Sequence, residues 1–440
     1  MPNPFLPLWE YIPDGEPRVF GDRVYLYGSH DKAGSESFCD FKLKVWSAPL
    51  NNLSQWECHG DSFHTKNDDD HVSDTSSWTG RELFAPDVIE YKGKYYLFAY
   101  IIGAVGCVAV SERPEGPFKL IAPYEYKNPD NCFGDGWFID PGVLCDDDGQ
   151  IYIYCGFESS FVAKVNPEKM NEIIDGSYQK DIIPVESPFE FFEGCSPRKI
   201  GDKYYLIYSP KKGSRLDYAI SHSPLGPFEY KGTIIDNAID HPGCNDHGSI
   251  CNINGQWYVF YHRGTNGTIM SRRACVEKIE ILPDGTIPQV EMTSLGFEDS
   301  LSPYRINPAE IACVLKNGCY ITEKNVFTRC VTGIVAGSVI GYKYFEFGND
   351  YSSKTMEVSF KVKGQGCYGN IKIVSDDIEN GEELGVCEIG LDDGIYTARI
   401  KALTGRHAIY FIAGDSYTDW TADMFKGKRL FELEEFTFMK

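Results

Sequence analysis

No apolar run in the 440 residues approaches the roughly 18 that a membrane-spanning helix needs, which excludes an α-helical span. Positive charge is scarce: 42 lysines and arginines stand against 64 aspartates and glutamates, a formal charge of −22 at pH 7. A surface of that sign repels polyanions and argues against nucleic acid and anionic membranes as partners. The 15 cysteines include no CxxC pair, and their number is odd. A structural zinc site and a secreted disulfide framework both lose support on that count. The N-terminus has no basic region, and prolines break its apolar residues, as in Asn3-Pro4-Phe5-Leu6-Pro7, so no signal peptide is expected. The sequence therefore predicts a cytoplasmic location, or secretion if a leader has been trimmed. No long amphipathic helical pattern is present either.

Aromatic residues are abundant, at 14% of the chain, with 28 tyrosines, 27 phenylalanines and 7 tryptophans. Such rings suit strands and sugar-stacking surfaces. They fall in a repeat: VFGDRVYLYG from Val19, VIEYKGKYYLFAY from Val88, VLCDDDGQIYIYCG from Val143, KIGDKYYLIYS from Lys199 and ICNINGQWYVFYH from Ile250 each read as a β-hairpin. Aligned on Tyr25, Tyr96, Tyr152, Tyr205 and Tyr258, the spacings are 71, 56, 53 and 53 residues. A period near 50 with one hairpin per unit predicts propeller blades. SERPEGPFKL from Ser111 and SHSPLGPFEY from Ser221 echo each other as outer strands of blades two and four. The excess in the first interval falls in the polar stretch Gly60 to Glu82, with Asp68-Asp69-Asp70-His71, which reads as a solvated loop. Beyond about residue 300 the repeat ends. Alternating runs such as TMEVSFKVKG from Thr355 and HAIYFIAG from His407 predict an antiparallel β-sandwich. The expected fold is thus all-β: a five-bladed β-propeller over residues 1–300 and a jelly-roll sandwich over 301–440.

In a propeller, residues at one offset before each inner strand converge on one cavity. Counting back from the aligned tyrosines by 9 to 12 residues gives Asp14, Asp87, Asp140, Glu193 and His247. Trp9, Trp137 and Phe192 stand close to three of these acids, and carboxylates flanked by rings suit a sugar pocket. Glycosidic hydrolysis needs a proton donor to the leaving oxygen and a base acting on water, and a third carboxylate raises the donor's pKa.

These residues resemble glycoside hydrolase family 43, whose catalytic domain is a five-bladed propeller. Pro13-Asp14-Gly15 stands where the family has its first motif, which implies Asp14 as general base, with Glu16 close enough to remain an alternative. Asp140-Pro141-Gly142 ahead of Asp146-Asp147-Asp148-Gly149 implies Asp140 as pKa modulator, and Glu193-Gly194 ahead of Lys199-Ile200-Gly201 implies Glu193 as general acid. The resemblance further implies that Arg272 reaches the sugar, that Asp87, in Phe84-Ala85-Pro86-Asp87-Val88, supports the substrate pocket, and that His247, of His247-Gly248-Ser249, faces a central cation or water cluster, while Trp9, Trp137 and Phe192 are candidate sugar contacts from their places beside the acids. The implied activity is that of an inverting glycosidase removing terminal α-L-arabinofuranosyl or β-D-xylosyl units from arabinoxylan-type oligosaccharides of the plant cell wall. A family member acting on arabinan or β-1,3-galactan, and a non-catalytic carbohydrate-binding propeller, are the alternatives. No cofactor is implied for the chemistry, while a structural calcium is admitted in the propeller axis or the C-terminal region. That region resembles a family 6 carbohydrate-binding module, on Glu310 and the closing FELEEFTF from Phe431, with Trp420 and Tyr368 as stacking candidates. The oligomeric state is left open.

Overall fold

The computed structural model describes residues 1–66, 81–101, 106–121, 138–243 and 245–440. Hairpins organise its first part. A two-residue turn with positive φ at both positions matches the twist of its strands, and Lys92-Gly93 (52° and 76°) and Asn254-Gly255 (51° and 89°) supply it.

Each hairpin grows outward into an antiparallel sheet in chain order. Blade one is Glu16–Phe20, Arg23–Tyr27, Lys42–Pro49 and Glu57–His64; blade two is Leu83–Tyr91, Lys94–Ile101, Cys107–Ser111 and Lys119–Leu120. Blade three is Gly142–Cys145, Ile151–Cys155, Phe161–Val165 and Gln179–Lys180; blade four is Phe191–Ile200, Lys203–Pro210, Arg215–Ser221 and Glu229–Asp236. Blade five has three strands, Ser249–Ile253, Gln256–Thr265 and Thr268–Ile279. The first strands touch in a ring, one to two to three to four, and five back to one. Ser196 Oγ donates to Ser249 Oγ at 2.7 Å and Arg198 Nε to the Ile250 carbonyl at 2.9 Å, which joins four to five. This is the propeller that the repeat predicts.

Part of the stretch expected as a loop is strand, because Glu57–His64 pairs with Lys42–Pro49 as the outer edge of blade one. Asp68-Asp69-Asp70-His71 lies outside the described residues. The two echoed segments do build the outer edges of blades two and four. In each, the serine hydroxyl accepts an amide two residues on (Arg113 N–H to Ser111, Ser223 N–H to Ser221), and the turn buries Phe118 or Phe228 before the outer strand.

The apolar core is a ring of inter-blade layers, since each blade buries both faces. The ring closes at the N-terminus: the Phe5 amide donates to Ala274 O, and the Asn3 side chain bonds both Val276 O and Val276 N–H. This segment covers the edge that a three-stranded blade leaves open. Phe5, fully buried, packs on Trp56, Phe260 and Phe297 with ring centroids 4.9–5.9 Å apart.

Residues 307–439 form a sandwich. One sheet runs Tyr320–Asn325, Thr328–Thr332, Phe431–Met439, Thr355–Gly364 and Gly394–Lys401; the other runs Val314–Lys316, Val339–Glu346, Arg406–Asp415, Gly369–Ser375 and Glu382–Ile389. Met356, Val358, Phe360 and Val362 point inward while Glu357, Lys361 and Lys363 do not, the alternation that a half-buried strand requires. One short helix, Trp420–Phe425, lies outside. The sandwich is tied to the propeller by polar pairs: Arg273 to Glu310, buried, at 3.2 Å, and, partly buried, Lys343 to Asp240 and Glu291 at 3.1 and 3.0 Å and the Tyr11 hydroxyl to Glu323 at 2.6 Å.

Candidate active site

The backbone leaves regular strand geometry at each carboxylate of the pocket. Asp14 and Asp140 take φ of 57° and 52° just before the first strands of blades one and three. Glu193 sits in a bulged stretch of blade four, followed by Gly194 at φ 76°. Positive φ is costly for a residue with a side chain, and bulges re-aim side chains; both recur where function holds them in place. A Cβ at Gly194 would come within 2.9 Å of Ser209 Oγ and 3.2 Å of the His247 ring, so the bulge needs glycine.

Asp14, Asp140, Glu193, His247 and Arg272 converge on an open pocket of about 190 Å³, walled by Phe38, Phe84, Tyr100, Ile139, Phe157 and Asn245. Arg272 is its buried cation. Its Nε and Nη2 clasp both oxygens of Asp31 at 2.9 Å, its Nη1 donates to Asp14 Oδ1 at 2.8 Å, and its guanidinium lies 4.9 Å from the Phe38 ring. Ser29 Oγ donates to the other Asp14 oxygen at 2.6 Å.

The charge states of the carboxyls diverge. Burial works to raise Asp14, but Arg272, the neighbouring histidines and the Ser29 hydroxyl outweigh it and hold the group below the usual range. Of those partners Arg272 supplies the charge, because burial pushes His262 down to about 3 and lowers His247 as well, leaving both rings neutral. Glu193 moves the other way: burial first, and then the Asp14 charge, raise it to about 7 against a 3.4 Å hydrogen bond from Asn245 Nδ2. Asp140 is raised well above its ordinary value by burial, Glu193 and Asp14. Burial thus does more to lift Glu193 than the like-charge repulsion expected from Asp140, and the two carboxyls titrate as a pair.

The expected residues separate into three groups. Asp14, Asp140, Glu193, His247 and Arg272 meet at the pocket. Asp87 does not, because its fully buried carboxylate takes Arg18 Nε and Nη2 at 2.9 and 2.5 Å and the Val143 amide at 2.8 Å, away from the pocket wall. Glu16 likewise turns along the axis to Arg198 Nη2 at 2.6 Å, so Asp14 is the member of that motif on the pocket. Phe192 stands behind the wall, 4.8 Å from the Phe157 ring. Trp9, 46% exposed, packs against Trp46 and is not part of the lining. Trp137 lies outside the described residues. On the sandwich, Trp420 and Tyr368 are exposed.

The register does not reach several residues that line the pocket, Phe38, Tyr100 and Phe157, or that bond its lining from behind, Ser29, Asp31 and His262. Ser29 and Asp31 follow the second strand of blade one, and Phe157 follows that of blade three; Tyr100 and His262 lie within second strands, and Phe38 comes from a loop. The one legible signal was Ser29-His30-Asp31, polar residues directly after an aromatic strand.

A calcium ion takes six to eight oxygens. On the axis His247 neighbours Glu16, whose Oε1 is buried without a partner, and no group of three His, Cys, Asp or Glu among the described residues could hold a metal. In the sandwich Glu310 is taken by Arg273. These donor sets do not fit a protein-ligated calcium, and the chemistry below uses none.

An ionised carboxylate fixed by arginine and a carboxyl protonated near neutral pH, both on one small pocket, can remove one proton and deliver another, as acetal hydrolysis requires.

A family model described as "Glycosyl hydrolases family 43" matches residues 2–287. A "Xylosidase/arabinosidase" of Thermoclostridium stercorarium is 36% identical, over 93% of this chain and 95% of that protein. Among solved structures, a GH43_1 enzyme from Xanthomonas citri complexed with xylotriose is 26% identical at a TM-score of 0.55, covering 69% of this chain and 96% of its own. A family 43 arabinoxylan arabinofuranohydrolase from Bacillus subtilis, in complex with cellotetraose, shares the fold at 22% identity and a TM-score of 0.57, covering 100% of this chain and 97% of its own.

Proposed function

This chain belongs to glycosyl hydrolases family 43, and on that premise we propose that it is an inverting glycosidase releasing single terminal α-L-arabinofuranosyl or β-D-xylosyl residues from arabinoxylan-type oligosaccharides. The carrying observation is the opposed charge state of Asp14 and Glu193 across one small pocket. Its volume of about 190 Å³ is small, which supports a site for a single terminal sugar. The aromatic walls offer faces for the sugar ring. The pentose assignment draws on the names of the relatives.

In the proposed reaction Glu193 gives its proton to the glycosidic oxygen as the bond to the anomeric carbon breaks. Water attacks that carbon from the opposite face and passes a proton to Asp14. The cycle leaves Glu193 ionised and Asp14 protonated, and exchange with solvent resets both. Arg272, tied to Asp31, keeps Asp14 ionised beforehand. Asp140 limits the pair it forms with Glu193 to less than full ionisation near neutrality, and so modulates the acid. The thirteen cysteines among the described residues are all free thiols, which fits action in a reducing cytoplasm on short oligosaccharides.

The test is turnover of 4-nitrophenyl α-L-arabinofuranoside, β-D-xyloside and β-D-galactoside and of an arabinoxylan oligosaccharide, with the first-formed anomer followed by proton NMR. Pentose release with inversion is expected. Glu193→Gln should lose about 10²–10⁴-fold on the oligosaccharide and less on the aryl glycosides, whose leaving group needs little protonation. Retention of configuration, or a Glu193→Gln enzyme as fast as the wild type on the oligosaccharide, would overturn the assignment.

A further inference from the structure

His262 lies in the second strand of blade five, fully buried, and is absent from the inner-strand register. Its main chain is fixed on both sides: its carbonyl accepts Asn237 Nδ2 at 2.8 Å, and its amide donates to Asp246 Oδ1 at 3.4 Å. The ring faces two other main-chain groups. The Asp14 amide donates to Nδ1 at 3.2 Å, and Nε2 lies 2.6 Å from the Asn245 carbonyl. An acceptor at Nδ1 and a carbonyl at Nε2 admit one tautomer, neutral with its proton on Nε2. Burial, which pushes this imidazole down to about 3, keeps it in that form across the working range.

The two groups that His262 bonds belong to opposite sides of the reaction. Asp14 is the assigned base, and its left-handed backbone has an amide that no strand partner takes up. Asn245 lines the pocket and extends Nδ2 to Glu193 Oε1 at 3.4 Å, where its N–H meets the negative charge that forms as Glu193 gives up its proton. The path from base to acid therefore runs Asp14 N–H to His262 Nδ1, His262 Nε2–H to Asn245 O, and Asn245 Nδ2–H to Glu193.

We propose that His262 is a positioning residue that holds the general base and the partner of the general acid at one fixed separation, using both ring nitrogens of a single neutral tautomer. This rests on the assignment of Asp14 and Glu193 above. An inverting enzyme needs that separation kept, because the attacking water must fit between the base and the anomeric carbon while the acid reaches the leaving oxygen. A displacement of about 1 Å can cost about 10²-fold in rate.

The test splits the two nitrogens. His262→Asn keeps an acceptor near the Nδ1 position but is too short to donate to the Asn245 carbonyl; His262→Gln reaches that carbonyl with an N–H but gives up the Nδ1 acceptor. The side that serves the acid matters only where the leaving group needs protonation. His262→Asn is therefore expected to lose about 10²-fold in kcat on an arabinoxylan oligosaccharide and much less on a 4-nitrophenyl pentoside, with KM little changed. His262→Gln is expected to lose similarly on both substrates, because attack by water is common to both. His262→Phe, checked for folding by its melting temperature, should lose on both. Equal losses of Asn and Gln variants on each substrate, or a folded His262→Phe enzyme within threefold of wild type, would overturn the proposal. Asp14→Asn and Glu193→Gln run alongside: if either keeps wild-type turnover of the oligosaccharide, the assignment of base and acid fails; if both fall while the His262 variants do not, only the positioning role fails.

Discussion

Two levels of the propeller axis use the same residue types in opposite ways. Farther along the first strands two buried carboxylates each have their own arginine: Glu16 with Arg198, Asp87 with Arg18. At the pocket one arginine, Arg272, bonds Asp14 and Asp31, while Asp140 and Glu193 have no cation of their own among the described residues. Both levels are buried, so burial alone does not separate scaffold from chemistry. The balance of charge does. A matched pair holds blades together, whereas an unmatched buried carboxyl must keep its proton near neutral pH, and a general acid has to do so.

The largest effect is expected from removing the cation of one matched axial pair. Arg18→Met would leave Asp87 buried without its cation, and stability to urea should fall by about 3–5 kcal/mol, as for other broken buried pairs. Loss below 1 kcal/mol would show that the axial pair carries no structural weight. At the pocket the sign reverses. Glu193 has a folded-state pKa raised from 4.5 to about 7, so the folded protein binds more protons than the unfolded chain between those values, and Glu193 costs stability as pH rises through that window. Glu193→Gln removes this cost: it should match the wild type near pH 4 and exceed it at pH 8 by on the order of 1–3 kcal/mol. A variant less stable than the wild type at pH 8 would mean that Glu193 is a structural group.

How much of this was legible depended on how local each feature is. The blades could be read because each hairpin carries its own turn, as in Asn254-Gly255, and its own aromatic strand. Asp14, Asp140, Glu193 and His247 could be placed together because a propeller converts one register position into one location in space. The same logic put Asp87 on the pocket, since an offset of 9 to 12 residues brings a side chain to the axis without fixing its level or its partners. Arg18, two residues after Glu16 and on the same strand face, was the available sign that the acids on this level are paired. His262, Asp31 and Phe38 were invisible to the register because second strands and loops deliver them. The closing of the ring by Asn3 and Phe5, and the tie between Tyr11 and Glu323, join residues hundreds of positions apart with no pattern of their own to announce the contact.

Carbon-13 NMR titration of glutamate-labelled enzyme, wild type against Glu193→Gln, tests the role of charge imbalance most directly. The expected result is a carboxyl resonance with a midpoint near 7, absent from the variant, and a wild-type kcat/KM for the oligosaccharide that declines above the same pH. A Glu193 resonance titrating at the ordinary glutamate value of about 4.3, with activity unaffected through pH 7, would contradict it.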